Sequence, residues 1–170
     1  NTVHDIIKNS LCLGCGLCEA LDKENCKMVI NQEGFYEPIF RDQHRIDHKV
    51  ITKICPGIVV HSQVTNQSIW GTVKIVANAW ASDSEIRKSS SSGGVTSALA
   101  IYLLETKKVD AVLHVGVEEG TYLYNRLYAS TTKEDILSRN ASRYAPAAIF
   151  NNIIELLEAE KTYAFIGKPC

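Results

Sequence analysis

The sequence predicts an α/β fold, bordering on α+β, in which an irregular N-terminal segment packs on a mixed-sheet α/β domain. Two observations carry this expectation. From residue 70 onward, short strand patterns alternate with helical spacing, the sign of a layered structure. Within that part, residues 109–117 form a nearly continuous apolar run, as expected of a strand covered on both faces. The earlier residues have only short apolar patches broken by Gly34 and Pro38, too few for a core of their own. The chain is therefore divided into residues 1–62 and 70–170, joined by a polar stretch at 63–68.

The elements follow in order. Residues 73–79 alternate and are β-rich, which predicts a strand. Residues 83–87 predict a helical turn, and 89–94 a loop of small residues. Residues 95–106 carry helical spacing, with Leu99, Tyr102 and Leu103 on one face. A strand over 122–130 follows the run at 109–117. Thr132 with Asp135 reads as a capping box that opens a short helix. Pro146 opens a longer helix to about residue 160, with Ile149, Ile153, Leu156 and Leu157 on its buried face. Residues 162–166 predict a last strand ahead of Gly167-Lys168-Pro169-Cys170.

Composition excludes several classes. The 170 residues are 45% hydrophobic and 22% charged, which is ordinary for a globular chain. A formal net charge of −1 argues against a nucleic-acid binder working through a broad positive field. The longest nearly apolar stretch, 95–104, is too short for a membrane span, and the N-terminus carries no secretory pattern.

Five of the six cysteines lie within the first 55 residues. Three of them stand at i, i+3, i+6 in Cys12-Leu13-Gly14-Cys15-Gly16-Leu17-Cys18. Cysteines that close cannot all pair locally as disulfides, so they read as metal ligands in a reducing, cytoplasmic setting. The spacing is the one by which a loop wraps three corners of an iron–sulfur cubane, with Gly14 and Gly16 permitting the tight curl. A fourth Cys-Pro would be expected four residues past the third cysteine, but that position is Asp22. Cys55-Pro56-Gly57 supplies it instead. Cys12, Cys15, Cys18 and Cys55 are thus assigned to one [4Fe–4S] cluster. Zinc held by the same thiolates, and Cys26 or Asp22 in place of Cys55, are the alternatives; otherwise Cys26 is a small buried hydrophobe. His44 and His48, at i, i+4, would share a helix face, but their charged surroundings read as a solvated segment. His114, inside the apolar run, reads as a satisfied core histidine.

Ser89-Ser90-Ser91-Ser92-Gly93-Gly94-Val95-Thr96 directly precedes a helix. Backbone N–H groups there favour an anion, and Ser91, Ser92 and Thr96 add hydroxyl donors; a merely flexible start to the helix is the plainer reading. Ser142-Arg143-Tyr144-Ala145-Pro146 offers a cation for a pyrophosphate and an aromatic face for a flavin ring, or else ordinary packing. Lys168 lies past a strand end, where open α/β sheets hold ligands. Cys170 is either redox-active or buried.

In this order, Cys12 to Cys18, Glu33-Gly34-Phe35-Tyr36-Glu37-Pro38, Cys55-Pro56-Gly57, Asp83-Ser84-Glu85-Ile86-Arg87, Ser91-Ser92-Gly93-Gly94-Val95, Ser142-Arg143-Tyr144 and Phe165-Ile166-Gly167-Lys168-Pro169-Cys170 resemble the coenzyme F420 hydrogenase/dehydrogenase beta-subunit family. The resemblance implies an oxidoreductase, an iron–sulfur flavoprotein holding FAD beside the cluster. It would exchange hydride with a small-molecule carrier (coenzyme F420 or another acceptor) and pass single electrons to a redox partner such as a ferredoxin, hydrogenase or dehydrogenase subunit. It also implies that Ser91, Ser92, Gly93, Gly94, Thr96, Ser142, Arg143, Tyr144 and Lys168 belong to the flavin region. Only one cysteine set is present, and the likeness is to the family's N-terminal part, so the flavin domain is expected to be truncated. Alternatives are a non-catalytic electron-transfer module and a zinc-stabilised interaction domain.

Overall fold

A computed structural model describes residues 2–59, 73–121 and 123–168. The expected connector at 63–68 and the Pro169-Cys170 pair lie outside them.

The N-terminal part is more regular than its short apolar patches suggest. Helix α1 (Val3–Lys8) opens on a capping box: the Thr2 hydroxyl accepts the Asp5 N–H and the Asp5 carboxylate accepts the Thr2 N–H. Helix α2 (Leu17–Leu21) follows the cysteine loop. Strands β1 (Cys26–Ile30) and β2 (Tyr36–Phe40) pair antiparallel, with Cys26 opposite Phe40 and Ile30 opposite Tyr36. Helix α3 (His48–Ile54), capped by the Asp47 carboxylate, ends at Cys55. These elements are five to seven residues long, below the length at which periodicity becomes readable. His44 sits in a 3₁₀ turn (Gln43–Arg45) closed by Ile46 in extended conformation, and His48 starts the next helix. The two histidines therefore do not share a helix face.

The second part is an α/β layer. Helix α4 (Ser84–Ser89) is capped by Asp83. Helix α5 (Val95–Glu105), strand β3 (Ala111–Val117), strand β4 (Asn125–Ser130), helix α6 (Lys133–Ser138), helix α7 (Ile153–Leu156) and strand β5 (Tyr163–Phe165) follow. The sheet order is β4-β3-β5, with β3 antiparallel to β4 and parallel to β5. It is a mixed sheet centred on β3, as expected of the apolar run. Val112 on β3 is fully buried and Ile136 on α6 is 1% exposed. With Ala81, Ile86, Ala100 and Ile101 they form the core that joins α4, α5, β3 and α6. Burying one such branched side chain stabilises the fold by about 1.5–3 kcal/mol.

Three expectations fail. Residues 73–80 make no strand: the described sheet consists of β4, β3 and β5, and every residue from 73 to 80 is exposed, so the alternating apolar side chains gain no burial from pairing. On α5 the buried residues are Ser97, Ala100 and Ile101, whereas Leu99 and Tyr102 face outward. The small side chains let the helix approach the sheet. The long helix predicted for 146–160 shrinks to the single turn of α7. Its would-be first turns are tied elsewhere: Phe150 backbone N–H donates to the Cys15 carbonyl at 2.7 Å, and the Asn152 side-chain Nδ2 donates to the Leu127 carbonyl at 3.3 Å. Asn151 and Asn152 are also poor helix formers. At Thr132 the box is half made. Its hydroxyl accepts the Asp135 N–H, but the Asp135 carboxylate takes the N–H of Thr131.

His114 is 6% exposed, with Nε2 2.8 Å from the Ser130 hydroxyl, a satisfied core histidine. Burial first, and the Arg139 charge second, hold its pKa below the ordinary 6.5, against a smaller opposing pull from Asp135. A depressed histidine binds its proton more readily when unfolded, so stability is full above about 6.5 and is lost as pH falls below it. Urea unfolding at about pH 7.5 and about pH 5.5 should show this loss, and His114→Gln should flatten it. Equal slopes in both proteins would remove His114 as the cause.

Candidate functional site

The loop 12–18 is curled by two glycines in left-handed conformation, Gly14 (φ +65) and Gly16 (φ +89). Each is also walled in. A Cβ on Gly14 would stand 2.8 Å from the Tyr36 carbonyl oxygen, and one on Gly16 2.7 Å from the Asn151 nitrogen and 2.9 Å from the Ala148 oxygen. The loop is therefore pressed between the hairpin and residues 148–151. The Phe150-to-Cys15 hydrogen bond, the Phe150 ring stacked on Phe165 at 5.5 Å, and a Lys23–Glu155 ion pair fasten the same seam.

Cys12, Cys15, Cys18 and Cys55 are all half-buried free thiols, and Cys26 is buried. Cys55 returns to the loop from the end of α3. Burial raises the pKa of Cys12, Cys15 and Cys18, with Cys18 pushed up to about 12. Mutual repulsion adds to this: Cys55 opposes ionisation of all three. Gly14 N–H donates to the Cys12 sulfur and Leu17 N–H to that of Cys15, favouring the thiolate at each. Among the described residues, no three His, Cys, Asp or Glu side chains converge as tightly as ligands of one ion. A four-iron cluster takes one thiolate per iron, so its ligands need not crowd in that way. Mutually repelling thiols with N–H groups aimed at their sulfurs are the donor set that bound iron would neutralise, so these residues fit such a group.

The serine–glycine loop forms a 3₁₀ turn (Ser91–Gly94) leading into α5, with Ser92 at φ +50, a strained position for a residue bearing a side chain. No side chain caps α5. The structure brings part of the predicted flavin set together. Ser142 N–H donates to the Ser91 hydroxyl at 3.1 Å, joining segments 51 residues apart. Arg143 Nε donates to the Asn125 Oδ1 at 2.9 Å, and Tyr144 is 97% exposed. Thr96 is exposed on the first turn of α5. Lys168 is exposed past β5, and among the described residues no hydrogen bond or ion pair joins it to the serine loop.

Three residues escape a sequence reading. Asn140 donates to the hydroxyls of Ser89 and Ser90, at 3.0 and 3.2 Å, and so holds the loop to the chain before Ser142. Asn125 anchors Arg143. Glu19, directly after Cys18, is buried. Only its place beside Cys18 could have drawn notice.

Substituting Gly16→Ala should cost about 1–3 kcal/mol, because the new Cβ meets backbone and the φ angle resists a side chain. A denaturation midpoint equal to the unmodified protein's would contradict the tight seam.

The family described as "Coenzyme F420 hydrogenase/dehydrogenase, beta subunit N-term" matches residues 76–154. The beta subunit of the coenzyme F420 hydrogenase of Methanococcus voltae is 32% identical over 107 residues, covering 59% of this chain and 36% of the relative. A subunit of the F(420)H(2) dehydrogenase of Methanosarcina mazei is 22% identical over 171 aligned positions, 99% of this chain and 48% of the relative. The chain thus spans half or less of these relatives' lengths. A chain of the F420-reducing [NiFe] hydrogenase complex from Methanosarcina barkeri, in a xenon-derivatised structure, is 29% identical with a TM-score of 0.41, over 45% of this chain and 26% of that one.

Proposed function

We propose that this chain, which belongs to the coenzyme F420 hydrogenase/dehydrogenase beta-subunit family, is the N-terminal part of a cytoplasmic iron–sulfur flavoprotein oxidoreductase. In this reading residues 1–62 hold one [4Fe–4S] cluster, and residues 70–170 contribute to an FAD site. Electrons pass between a small hydride carrier, coenzyme F420 or another acceptor, and a partner subunit. The observation that supports it is that Cys55 lies near enough to Cys12, Cys15 and Cys18 to oppose ionisation of all three, so that two separate segments would supply four thiols. The relatives are named as hydrogenase and dehydrogenase subunits, which favours a partner subunit here. Among the described residues no helix is long and apolar enough to cross a membrane.

A bound flavin accepts two electrons together and releases them singly, and an iron–sulfur cluster carries them one at a time. The residues of this chain bind and orient. Cys12, Cys15, Cys18 and Cys55 supply thiolates, and the N–H groups of Gly14 and Leu17 stabilise sulfur charge at the first two. Ser91, Ser92 and Thr96, with the backbone of Gly93 and Gly94, offer donors to a phosphate at the start of α5. Ser142, tied to Ser91, brings Arg143 and Tyr144 alongside that loop. Arg143 adds a fixed cation and Tyr144 an open ring face, while Lys168 would carry charge from the end of β5.

Purified anaerobically, the protein should be brown, with about four irons and bound FAD. A colourless protein carrying zinc would overturn the redox reading. Cys15→Ser should lose the cluster's absorbance and its iron; retained iron would remove Cys15 from the ligand set. Arg143→Ala should weaken FAD binding by roughly tenfold or more, the loss of one charge-assisted contact, and an unchanged affinity would exclude Arg143 from the site.

A further inference from the structure

The turn at 148–151 is fastened to the cysteine loop at one of its candidate ligands. The Phe150 N–H donates to the Cys15 carbonyl at 2.7 Å, a short bond for an amide. The next residue of the loop, Gly16, has the Asn151 nitrogen and the Ala148 oxygen where a Cβ would stand. The peptide joining Cys15 to Gly16 is therefore fixed at both ends. Directly after it comes the Leu17 N–H, which donates to the Cys15 sulfur. A seam that only joined two parts of the chain could close on any backbone group. This one closes on the turn that aims a donor at a thiol.

Phe150 is itself held from the sheet. Its ring stacks on Phe165, with centroids 5.5 Å apart and planes inclined by 28°, a geometry that adds to the stabilisation from burial alone. Phe165 stands in β5 opposite Leu113 of β3, and the Ile166 N–H donates to the Leu113 carbonyl at 2.9 Å. Gly167 packs against the same ring so closely that any side chain there would overlap it. An unbroken series of contacts thus runs from the buried strand β3, through two rings, to the carbonyl of Cys15. An N–H bond to sulfur stabilises negative charge, which is greater in a reduced cluster, so such a bond raises the reduction potential.

We propose that Phe150 is a positioning residue for the iron–sulfur centre: anchored on Phe165, it holds the Cys15 peptide so that the Leu17 N–H stays on the Cys15 sulfur. This rests on the cluster reading above. Phe150→Leu keeps the backbone donor but removes the ring that anchors it, so the N–H bond to sulfur loosens and the potential falls. Phe165→Leu removes the same anchor from the sheet side and lowers the potential likewise. Phe165→Tyr keeps a ring to stack and leaves the potential where it was. Loosening one such bond shifts the reduction equilibrium by up to about tenfold, which is about 59 mV for one electron.

The experiment is an anaerobic redox titration of the purified holoprotein followed by EPR, with iron and zinc measured on each sample. Lower potentials in both leucine variants, with iron retained and Phe165→Tyr unshifted, support the assignment. A seam that merely held the fold would lower the denaturation midpoint and leave the potential alone. Iron retained with unchanged potentials in both leucine variants therefore overturns the assignment and leaves the cluster reading standing. So does a shift in Phe165→Tyr as large as that in Phe165→Leu. If Phe150→Leu fails to fold or to hold iron, Phe165→Leu decides alone: a lower potential supports the assignment and an unchanged one overturns it. Zinc without iron in the unmodified protein overturns the cluster reading and this inference together.

Discussion

Gly16 lies against the backbone of Ala148 and Asn151 with no room for a single added carbon, and the arrangement of the candidate site depends on that contact. It presses the cysteine loop onto a segment of the second part of the chain, at the cost of the helix that segment would otherwise form. Phe150 illustrates the exchange. Its N–H serves the Cys15 carbonyl, and its ring stacks on Phe165 of the sheet. A loop with little apolar surface of its own is thereby held by backbone geometry and by neighbours from both sides.

The second constraint is electrostatic. Several thiols share a half-buried space in which burial and mutual repulsion both oppose ionisation. Without compensation such a group stays protonated; with a polycationic inorganic core it ionises and becomes a ligand set. The fold contributes directed N–H groups at Cys12 and Cys15, which favour sulfur charge against that burial.

What the sequence made legible follows from how local each signal is. The apolar run of β3 was readable because a strand buried on both faces needs no partner pattern to be recognised. The cysteine run and the cap at Thr132 were readable because spacing alone defines them. The 73–80 stretch misled because alternation reports a capacity to pair, while the sheet's neighbours decide whether pairing occurs. The 146–160 helix misled because Phe150 and Asn152 have tertiary partners that outweigh helical spacing. Asn140, Asn125 and Glu19 were invisible for the same reason: their partners lie across the fold, or their burial does not follow from residue type.

One irregular stretch reaches both halves of the candidate site. At Ser142 it is pinned to the serine loop, and at Phe150 it is pinned to the cysteine loop. A chain tethered at both ends has a fixed contour, so adding or removing a residue between those pins would drag the serine loop relative to the cysteine loop. Among the described residues the turn between β3 and β4 carries no such double tether, and Glu119 and Gly120 within it are exposed. Length variation among homologous chains should therefore be absent from 143–149 and concentrated in that turn, making the former a molecular ruler and the latter a permissive splice point.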